Sequence, residues 1–149
     1  MQTLSKILGL AFVAIVCSAC HSESATQKSK ELLQHLCESG KEVACFELKK
    51  IKLSKLNEPS PSDLWDFMRD FRGMCNNFSY IVPQSCDEHD KTAQRYIRAV
   101  LALPKEEKGS YYVEKLDLLS YQTGSLSPKI LQMASSARDE IIAEYEKDC

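Results

Sequence analysis

The sequence is poor in the features that mark nucleic-acid-binding and membrane-spanning proteins. Its 19 basic and 21 acidic residues give a net charge of −2, whereas phosphate binding needs a clustered basic face. Beyond residue 20, no segment has the roughly 20 apolar residues that a membrane-spanning helix requires. Five glycines in 149 residues leave little room for flexible ligand-binding loops. These shortages argue against nucleic acid as a partner and against a polytopic membrane protein.

Recognisable catalytic motifs are also missing from the sequence after residue 20. It contains no serine nucleophile elbow, HExxH pair, glycine-rich phosphate loop or CxxC redox pair. The densest set of potential metal ligands is Cys86–Asp90, which Cys75 could approach. A zinc site would need reduced thiols and a fourth ligand. The thiols of an exported chain meet an oxidising compartment, so we expect a disulfide there, with no metal and no cofactor. An enzyme would need a deep pocket on which polar residues such as Glu88, His89 and Arg95 converge, and we predict that the chain is not one.

The N-terminus has the layout of a secretory signal peptide. Met1–Lys6 is short and carries one positive charge, Ile7–Val16 is a run of ten uncharged and mostly apolar residues, and Cys17–Cys20 has small side chains. The apolar run is too short to cross a bilayer. The segment ending in Ser18–Ala19–Cys20 resembles the signal of bacterial lipoproteins, which is cut before a cysteine that has received diacylglycerol.

This resemblance implies a signal peptide over residues 1–19 and lipidation of Cys20 by diacylglycerol and a further acyl chain such as palmitate, which together would anchor the protein to a membrane. His21 stands where an aspartate favours the inner membrane in that family, so the implied location is the periplasmic side of the outer membrane. The alternative is an ordinary signal peptide, cut after Ala19 or Ser24, that releases a soluble protein. Residues 20–29 are polar and suit a tether, and residues 30–149 are long enough for a single domain.

Cysteine spacing predicts two disulfides in an oxidising compartment. Cys37 lies in the last turn of one predicted helix and Cys45 in the first turns of the next, across a tight turn that suits the short Cα separation of a disulfide. Cys75 and Cys86 stand in the same relation across a longer loop. Cys149 is then left over: it is free, or joins two chains, or replaces one of the partners assigned here. Pairing of an unlipidated Cys20 is a further alternative.

Apolar spacing predicts helices throughout the domain. A hairpin over Lys30–Glu58 has one apolar stripe before Ser39–Gly40 and a second stripe after it. The first stripe is Leu32, Leu33 and Leu36, and the second is Val43, Ala44, Leu48 and Ile51.

Ser60, Pro61 and Asp63 predict the start of a third helix. Its inward face is predicted to contain Leu64, Met68, Phe71, Cys75 and Phe78, with Trp65 and Phe67 widening it.

The second half of the chain predicts three further helices. After a loop that briefly extends at Tyr80–Val82, a capping box at Ser85–Glu88 opens a helix that ends near Leu103. A helix over Tyr111–Tyr121 and a last helix from Ser127–Pro128 follow, the latter with an inward stripe of Ile130, Ala134, Ala137, Ile141 and Tyr145. The predicted fold class is therefore all-α: a small bundle of about five to six helices built from disulfide-stapled helical hairpins.

Two further resemblances concern short segments. Leu36–Leu48 resembles one unit of the cysteine-rich Sel1-like repeat proteins, whose paired helices are stapled by cysteines. No second unit recurs, whereas repeat folds need three or more. The pattern formed by Cys86, Gln94, Tyr96–Ile97 and Leu103–Pro104 resembles small helical immunity proteins of secreted amidase toxins, although the closing Pro-Cys of that family is absent here.

Exposed tyrosines are the candidate binding residues, because tyrosine is a common anchor of protein interfaces. The candidates are Tyr80 in a loop and the pair Tyr111 and Tyr112, of which one ring must point outward; the alternative is that these rings flank the core. We predict a non-enzymatic envelope lipoprotein that binds a protein partner in the periplasm, such as an immunity protein or inhibitor. The alternatives are a Sel1-like helical scaffold and an enzyme of unknown type.

Overall fold

The computed structural model describes residues 26–149. The predicted signal peptide and the lipidation of Cys20 lie outside the described residues. Within residues 26–149 the chain forms six α-helices and one short 3-10 helix, with no strand beyond an isolated bridge between Thr123 and Leu126. The predicted all-α class and the helical bundle are confirmed. No helix of this part of the chain is both long and apolar enough to cross a membrane.

The helices follow one another through short connections. The first, α1, covers 26–38 of the described residues. The others are α2 (Glu42–Ser54), α3 (Pro61–Phe78), α4 (Gln84–Leu101), the 3-10 helix (Lys105–Glu107), α5 (Ser110–Ser120) and α6 (Pro128–Glu146). The chain divides into two compact units, Met1–Leu48 and Lys49–Cys149. The boundary falls inside α2, within the single domain predicted over residues 30–149.

In the first unit, a glycine-capped turn joins α1 to α2. Gly40 has a φ of +87°, a left-handed conformation that glycine adopts without a Cβ penalty. Its N–H donates to the Cys37 carbonyl at 2.9 Å, and the Lys41 N–H donates to the Leu36 carbonyl at 3.0 Å, which is the Schellman pattern of a helix C-terminus. The turn brings the Cα atoms of Cys37 and Cys45 to 4.6 Å, and the two residues form a disulfide as predicted.

The two predicted stripes of this hairpin are only partly buried. Ala44 and Leu48 are buried in α2, together with Phe46. Leu32 is 58% exposed and Val43 is 50% exposed, so these two members of the stripes are not covered. The sequence pattern identifies an amphipathic helix, but which apolar positions become covered depends on what packs nearby.

In the second unit, α3 packs chiefly on α4, α4 contacts α6, and α6 packs on α5. The predicted start of α3 is confirmed: the Asp63 N–H donates to Ser60 Oγ at 3.1 Å, and the Ser60 N–H donates back to the Asp63 carboxylate at 3.0 Å. The helices bury a continuous apolar face along each contact. Its members include Leu64, Met68, Phe71, Ala93, Ile97, Val100, Leu116, Leu119, Ile130, Ala134, Ala137 and Ile141.

The connection between α3 and α4 differs from the sequence-based expectation. The helix begins at Gln84 without a side-chain cap, and the Ser85 hydroxyl donates to the Val82 carbonyl at 2.7 Å, so the predicted capping box was wrong. Tyr80–Val82 forms a turn rather than an extended segment, since the N–H groups of Ile81 and Val82 both donate to the Phe78 carbonyl. The Cys75–Cys86 disulfide is present as predicted, with the Cα atoms of the two cysteines 4.7 Å apart.

Two helix boundaries and one residue predicted to point inward also differ from the sequence-based expectation. The helix α4 ends at Leu101 rather than Leu103, and α5 covers Ser110–Ser120. Tyr145 is 39% exposed instead of inward, because its hydroxyl reaches the Lys105 carbonyl at 2.9 Å on the surface of the unit. Cys149 is the free cysteine of the described residues, and it is exposed.

Candidate functional site

The second unit has a surface cleft of about 600 Å³ between α3 and the end of α5. Trp65, Arg72 and Asn76 of α3 form one wall. The opposite wall consists of Leu118 and Tyr121, with residues 122–125 of the turn that leads to α6.

The α3 wall follows directly from the register of the helix. Each successive residue of an α-helix is rotated by about 100°, so the residues that follow a buried stripe line the edge of that stripe. Leu64, Phe71 and Cys75 are buried, and Trp65, Arg72 and Asn76 are the residues that follow them. The face that packs α3 into the unit therefore also directs one row of larger, more polar side chains along the border of the core.

The opposite wall is held in place by the turn between α5 and α6. Gly124 has a φ of +90°, and the Leu126 N–H donates to the Gln122 carbonyl at 3.2 Å. The Ser127 N–H and hydroxyl both donate to the Asp90 carboxylate of α4, each at 2.8 Å. This double hydrogen bond ties the turn to α4 and so positions Gln122 over the core.

A smaller pocket of about 90 Å³ shares three residues with the cleft. Trp65, Arg72 and Gln122 line both. The remaining lining residues of the small pocket are Met68, Arg69 and His89. The two cavities therefore share a wall, with the small pocket on the side of the buried helix faces.

His89 is the chemically distinctive residue of the small pocket. It is fully buried, and its Nδ1 lies 3.1 Å from the Met68 carbonyl oxygen. A carbonyl oxygen only accepts hydrogen bonds, so Nδ1 must carry the hydrogen. Nε2 of His89 and Oε1 of Gln122 are buried, and no hydrogen bond of standard geometry reaches either atom from the described residues. The Gln122 side chain nevertheless interacts with the His89 ring as a hydrogen-bond neighbour.

The environment keeps this imidazole neutral. Burial lowers the pKa of His89 below 6.5, and the positive charge of Arg72 lowers it further. The hydrogen bond to Met68, the charge of Asp90 and a side-chain hydrogen bond with Gln122 act in the opposite direction, but the net shift of the pKa is downward. With the hydrogen on Nδ1 and a lowered pKa, Nε2 presents a lone pair to the pocket as a hydrogen-bond acceptor at neutral pH.

Trp65 is held by aromatic and cationic neighbours. Its ring centroid lies 5.2 Å from that of the buried Tyr96. The Lys115 ammonium lies 4.6 Å from the Trp65 ring centroid and 5.3 Å from that of Tyr111. Contacts of this kind stabilise the position of an aromatic side chain. The Trp65 indole held in this way lines both cavities.

The predicted tyrosine candidates lie elsewhere. Tyr80 is 81% exposed and Tyr111 is 57% exposed, while Tyr112 is half-buried with its ring edge-to-face against Tyr111 at 5.2 Å. None of the three lines the cleft, although Tyr111 shares Lys115 with Trp65. Their role in binding stays a prediction.

The hypothetical enzyme residues do not converge on one pocket. His89 lines the small pocket, whereas Glu88 and Arg95 line neither cavity. Both sulfurs considered for a metal, those of Cys75 and Cys86, are in the disulfide. Within residues 26–149, no group of three side chains could hold a metal ion.

Sequence reasoning missed the residues that form the site. It assigned Trp65 to the core face, considered His89 only as a metal ligand or catalytic group, and did not consider Arg72 or Gln122. The available signal was the row that follows the buried stripe of α3. Nothing in the sequence indicated that the turn after α5 would face that row.

The fold and the site define a class: a disulfide-stapled, all-α protein with a surface cleft backed by a small polar pocket. The chain matches no protein-family model, and comparison with curated proteins and with solved structures gives no match either.

Proposed function

We propose that the chain is an exported, non-enzymatic envelope protein, anchored by lipid on Cys20 to the periplasmic side of the outer membrane, that binds a protein partner through the cleft. Two disulfides support an oxidising compartment. The resemblance of residues 1–20 to lipoprotein signals supports the anchor. An immunity protein or inhibitor is the specific form of this proposal.

The observation that carries the binding role is the composition of the cleft rim. Tyr121 is 72% exposed and Leu118 is 55% exposed, and they face Trp65 and Arg72 across the cleft. Trp, Tyr and Arg are the residue types that dominate interface hot spots. Arg72, with Lys115 beside Trp65, makes this region cationic, so the partner surface is expected to be neutral to acidic.

Site-specific crosslinking in cells tests the binding role. A photo-crosslinking amino acid at Tyr121 should trap one envelope protein, whereas the same group at Glu140, an exposed residue of α6, should not. Leu118→Asp should reduce the Tyr121 crosslink about tenfold or more without changing the circular dichroism spectrum, since loss of a hot-spot contact costs about 2 kcal/mol. Equal crosslinking at positions 121 and 140 contradicts the proposed binding site.

Cell fractionation and intact-mass measurement test the proposed localisation and the lipid anchor. Protein purified from membranes should carry the mass of the lipid on Cys20, and reduction should raise its mass by that of four hydrogens for the two disulfides. Cys20→Ser should move the protein out of the outer-membrane fraction, while Cys149→Ser serves as the matched control and should leave it there. A membrane fraction unchanged by Cys20→Ser would overturn the lipid anchor.

A further inference from the structure

An open apolar groove of about 430 Å³ lies between α5 and α6 in the second unit. Val113 of α5 lines one side, Ile142, Tyr145 and Glu146 of α6 line the other, and Cys149 lines it beyond the end of α6. Ile142 is 38% exposed and Tyr145 is 39% exposed, so this α5–α6 groove presents apolar surface to solvent. An exposed apolar patch with a polar rim is typical of an interaction surface.

Cys149 is held beside the groove. The N–H groups of Asp148 and Cys149 donate to the carbonyls of Tyr145 and Glu146, respectively, each at 3.2 Å. The Asp148 carboxylate forms an ion pair with Lys105, and the Cys149 thiol lies 3.7 Å from the Tyr145 carbonyl oxygen. The free thiol of the described residues is therefore exposed at a defined position on the groove.

The charges at the end of α6 have both signs, and two of them are unpaired. Glu144 and Asp148 each form an ion pair with a lysine of the segment before α5. Glu146 and Lys147 are exposed, and neither has an ion-pair partner within residues 26–149. Two adjacent, opposite charges therefore remain available on the rim of the groove.

This charge pattern is complementary to itself. In a symmetric interface between two identical chains, the same patch meets its own copy, so a residue that faces a second residue is faced by it in turn. Such a patch needs both signs of charge, whereas contact with a different protein requires only one. The net charge of −2 adds little long-range repulsion between two copies.

We infer that the α5–α6 groove is an interface between two copies of this chain, related by a two-fold axis that passes near Cys149. The apolar side chains of Ile142 and Tyr145 cover those of the second copy, and Glu146 of each copy faces Lys147 of the other. An interface limited to this groove is small, and small interfaces are weak. The inference uses no cleft residue and so goes beyond the proposed function.

Disulfide trapping turns this weak contact into a measurable product. When oxidised glutathione is added to the full-length purified protein, the Cys149 thiolate attacks one of its sulfurs and releases one glutathione thiol. The Cys149 thiolate of the second copy then displaces the other glutathione and forms the intermolecular disulfide. Two protein thiols are oxidised and one glutathione disulfide is reduced to two thiols, and non-reducing electrophoresis measures the rate at which the dimer appears.

A relocated cysteine distinguishes docking from random collision. The control combines Cys149→Ser with Glu140→Cys, which places the thiol at an exposed position of α6 outside the groove. Because docking raises the local concentration of one thiol near the other, the native chain should form the dimer about tenfold or more faster than this control. Equal rates overturn the inference and leave the groove without a second copy.

Matched apolar substitutions locate the contact. Ile142→Asp places a charge in the interface and should slow trapping about tenfold, since it removes a central apolar contact. Ile81→Asp makes the same change at a residue that is 43% exposed in the turn before α4 and should leave the rate unchanged. Both variants should keep the native circular dichroism spectrum. Equal effects of the two substitutions contradict the interface.

Charge reversal tests the symmetry. Glu146→Lys puts like charges opposite each other and should slow trapping about fivefold, whereas Glu140→Lys makes the same change outside the groove and should have no effect. Adding Lys147→Glu to Glu146→Lys restores opposite charges across the axis and should restore the rate. A double variant as slow as Glu146→Lys overturns the symmetric arrangement.

The interface and the proposed function fail separately. Ile142→Asp should leave the Tyr121 crosslink to the envelope partner unchanged, because Ile142 does not line the cleft. Equal crosslinking at positions 121 and 140 contradicts the proposed binding site and leaves the trapping rates as they are.

Discussion

The two disulfide-stapled hairpins have similar covalent links but different surroundings. Their cysteines are separated by 8 and 11 positions in the sequence. The chain-entropy relation assigns closure of such loops about 2.5 and about 3 kcal/mol, respectively. By loop length alone, the two links should therefore stabilise the protein almost equally.

Burial separates α1 from the three other helices of the two hairpins. In α1, none of residues 26–38 is buried. In the second hairpin, α3 buries four residues and α4 buries seven. A helical segment of the length described here, 26–38, is marginal in water without packing, so the Cys37–Cys45 disulfide holds this segment where packing does not. In the second hairpin, the disulfide adds to a packed interface that already specifies the geometry.

Truncating a core side chain should show the largest contrast. Phe71 of α3 is fully buried, whereas Leu32 of α1 is 58% exposed. We expect Phe71→Ala to lower the free energy of unfolding by about 3–5 kcal/mol and Leu32→Ala to change it by less than about 0.5 kcal/mol. Chemical denaturation measures both. A large loss of unfolding free energy for Leu32→Ala would contradict the contrast between the hairpins, because it would show that packing holds α1 in place.

Removing each disulfide should separate global from local stability. We expect Cys75→Ser with Cys86→Ser to lower the global free energy of unfolding by about 3 kcal/mol. Cys37→Ser with Cys45→Ser should leave the global transition almost unchanged but abolish amide protection over residues 26–38, which local unfolding exposes. Denaturation and hydrogen exchange distinguish the two. If both double variants lost the same amount of global unfolding free energy, the contrast between the two disulfides would be contradicted.

Acid should weaken the second unit through His89. Burial lowers the pKa of His89. Below pH 6.5, His89 therefore binds a proton in the unfolded chain but stays neutral in the folded chain until the pH reaches its lowered pKa. The free energy of unfolding should therefore fall as pH drops below 6.5, by at most about 1.4 kcal/mol per pH unit, and level off below the folded-state pKa. Denaturation midpoints between pH 8 and 5 measure this slope.

The matched variants for the pH experiment are His89→Gln and His35→Gln. The first removes the buried imidazole and should flatten the slope below pH 6.5. The second alters an exposed residue of α1 and should leave the slope as it is. If His35→Gln flattens the profile instead, the acid sensitivity belongs to the first hairpin.

The smallest expected effect concerns the hydroxyl of Tyr96. It is buried without a hydrogen-bond partner among the described residues, and burial raises the pKa of Tyr96. Since a buried hydroxyl without a partner costs free energy, Tyr96→Phe should stabilise the second unit by about 1 kcal/mol. Tyr121→Phe, at a position 72% exposed, should change stability by less than about 0.5 kcal/mol. A loss of stability with Tyr96→Phe would show that the hydroxyl is paired.

The parts of the fold that were predictable from sequence depend on neighbouring residues. Cys37 and Cys45 flank a turn that Gly40 terminates, so their pairing follows from local geometry. The start of α3 follows from Ser60 and Asp63 for the same reason. The start of α4 did not follow: Ser85 has the spacing of a capping box, but the short turn after Phe78 places it inside the helix, where its hydroxyl bonds the Val82 carbonyl.

The candidate site was beyond sequence reasoning because its walls are distant in the chain. Trp65 and Gln122 line the same pocket but are separated by more than fifty residues. Periodicity indicates which face of α3 is buried, but it does not indicate which turn covers the border of that face. The double hydrogen bond from Ser127 to Asp90, which positions Gln122, is likewise a contact between distant segments.

The sequence by itself determined the helices, most of their inward faces and both disulfides, because these depend on propensity, capping and spacing within a few turns. The tertiary structure alone decided which polar groups became buried beside one another, and hence that His89, Gln122 and two arginines share a small pocket. The reason is physical: local signals act over a few residues, whereas a cavity exists only after separate helices have packed and excluded water from the space between them.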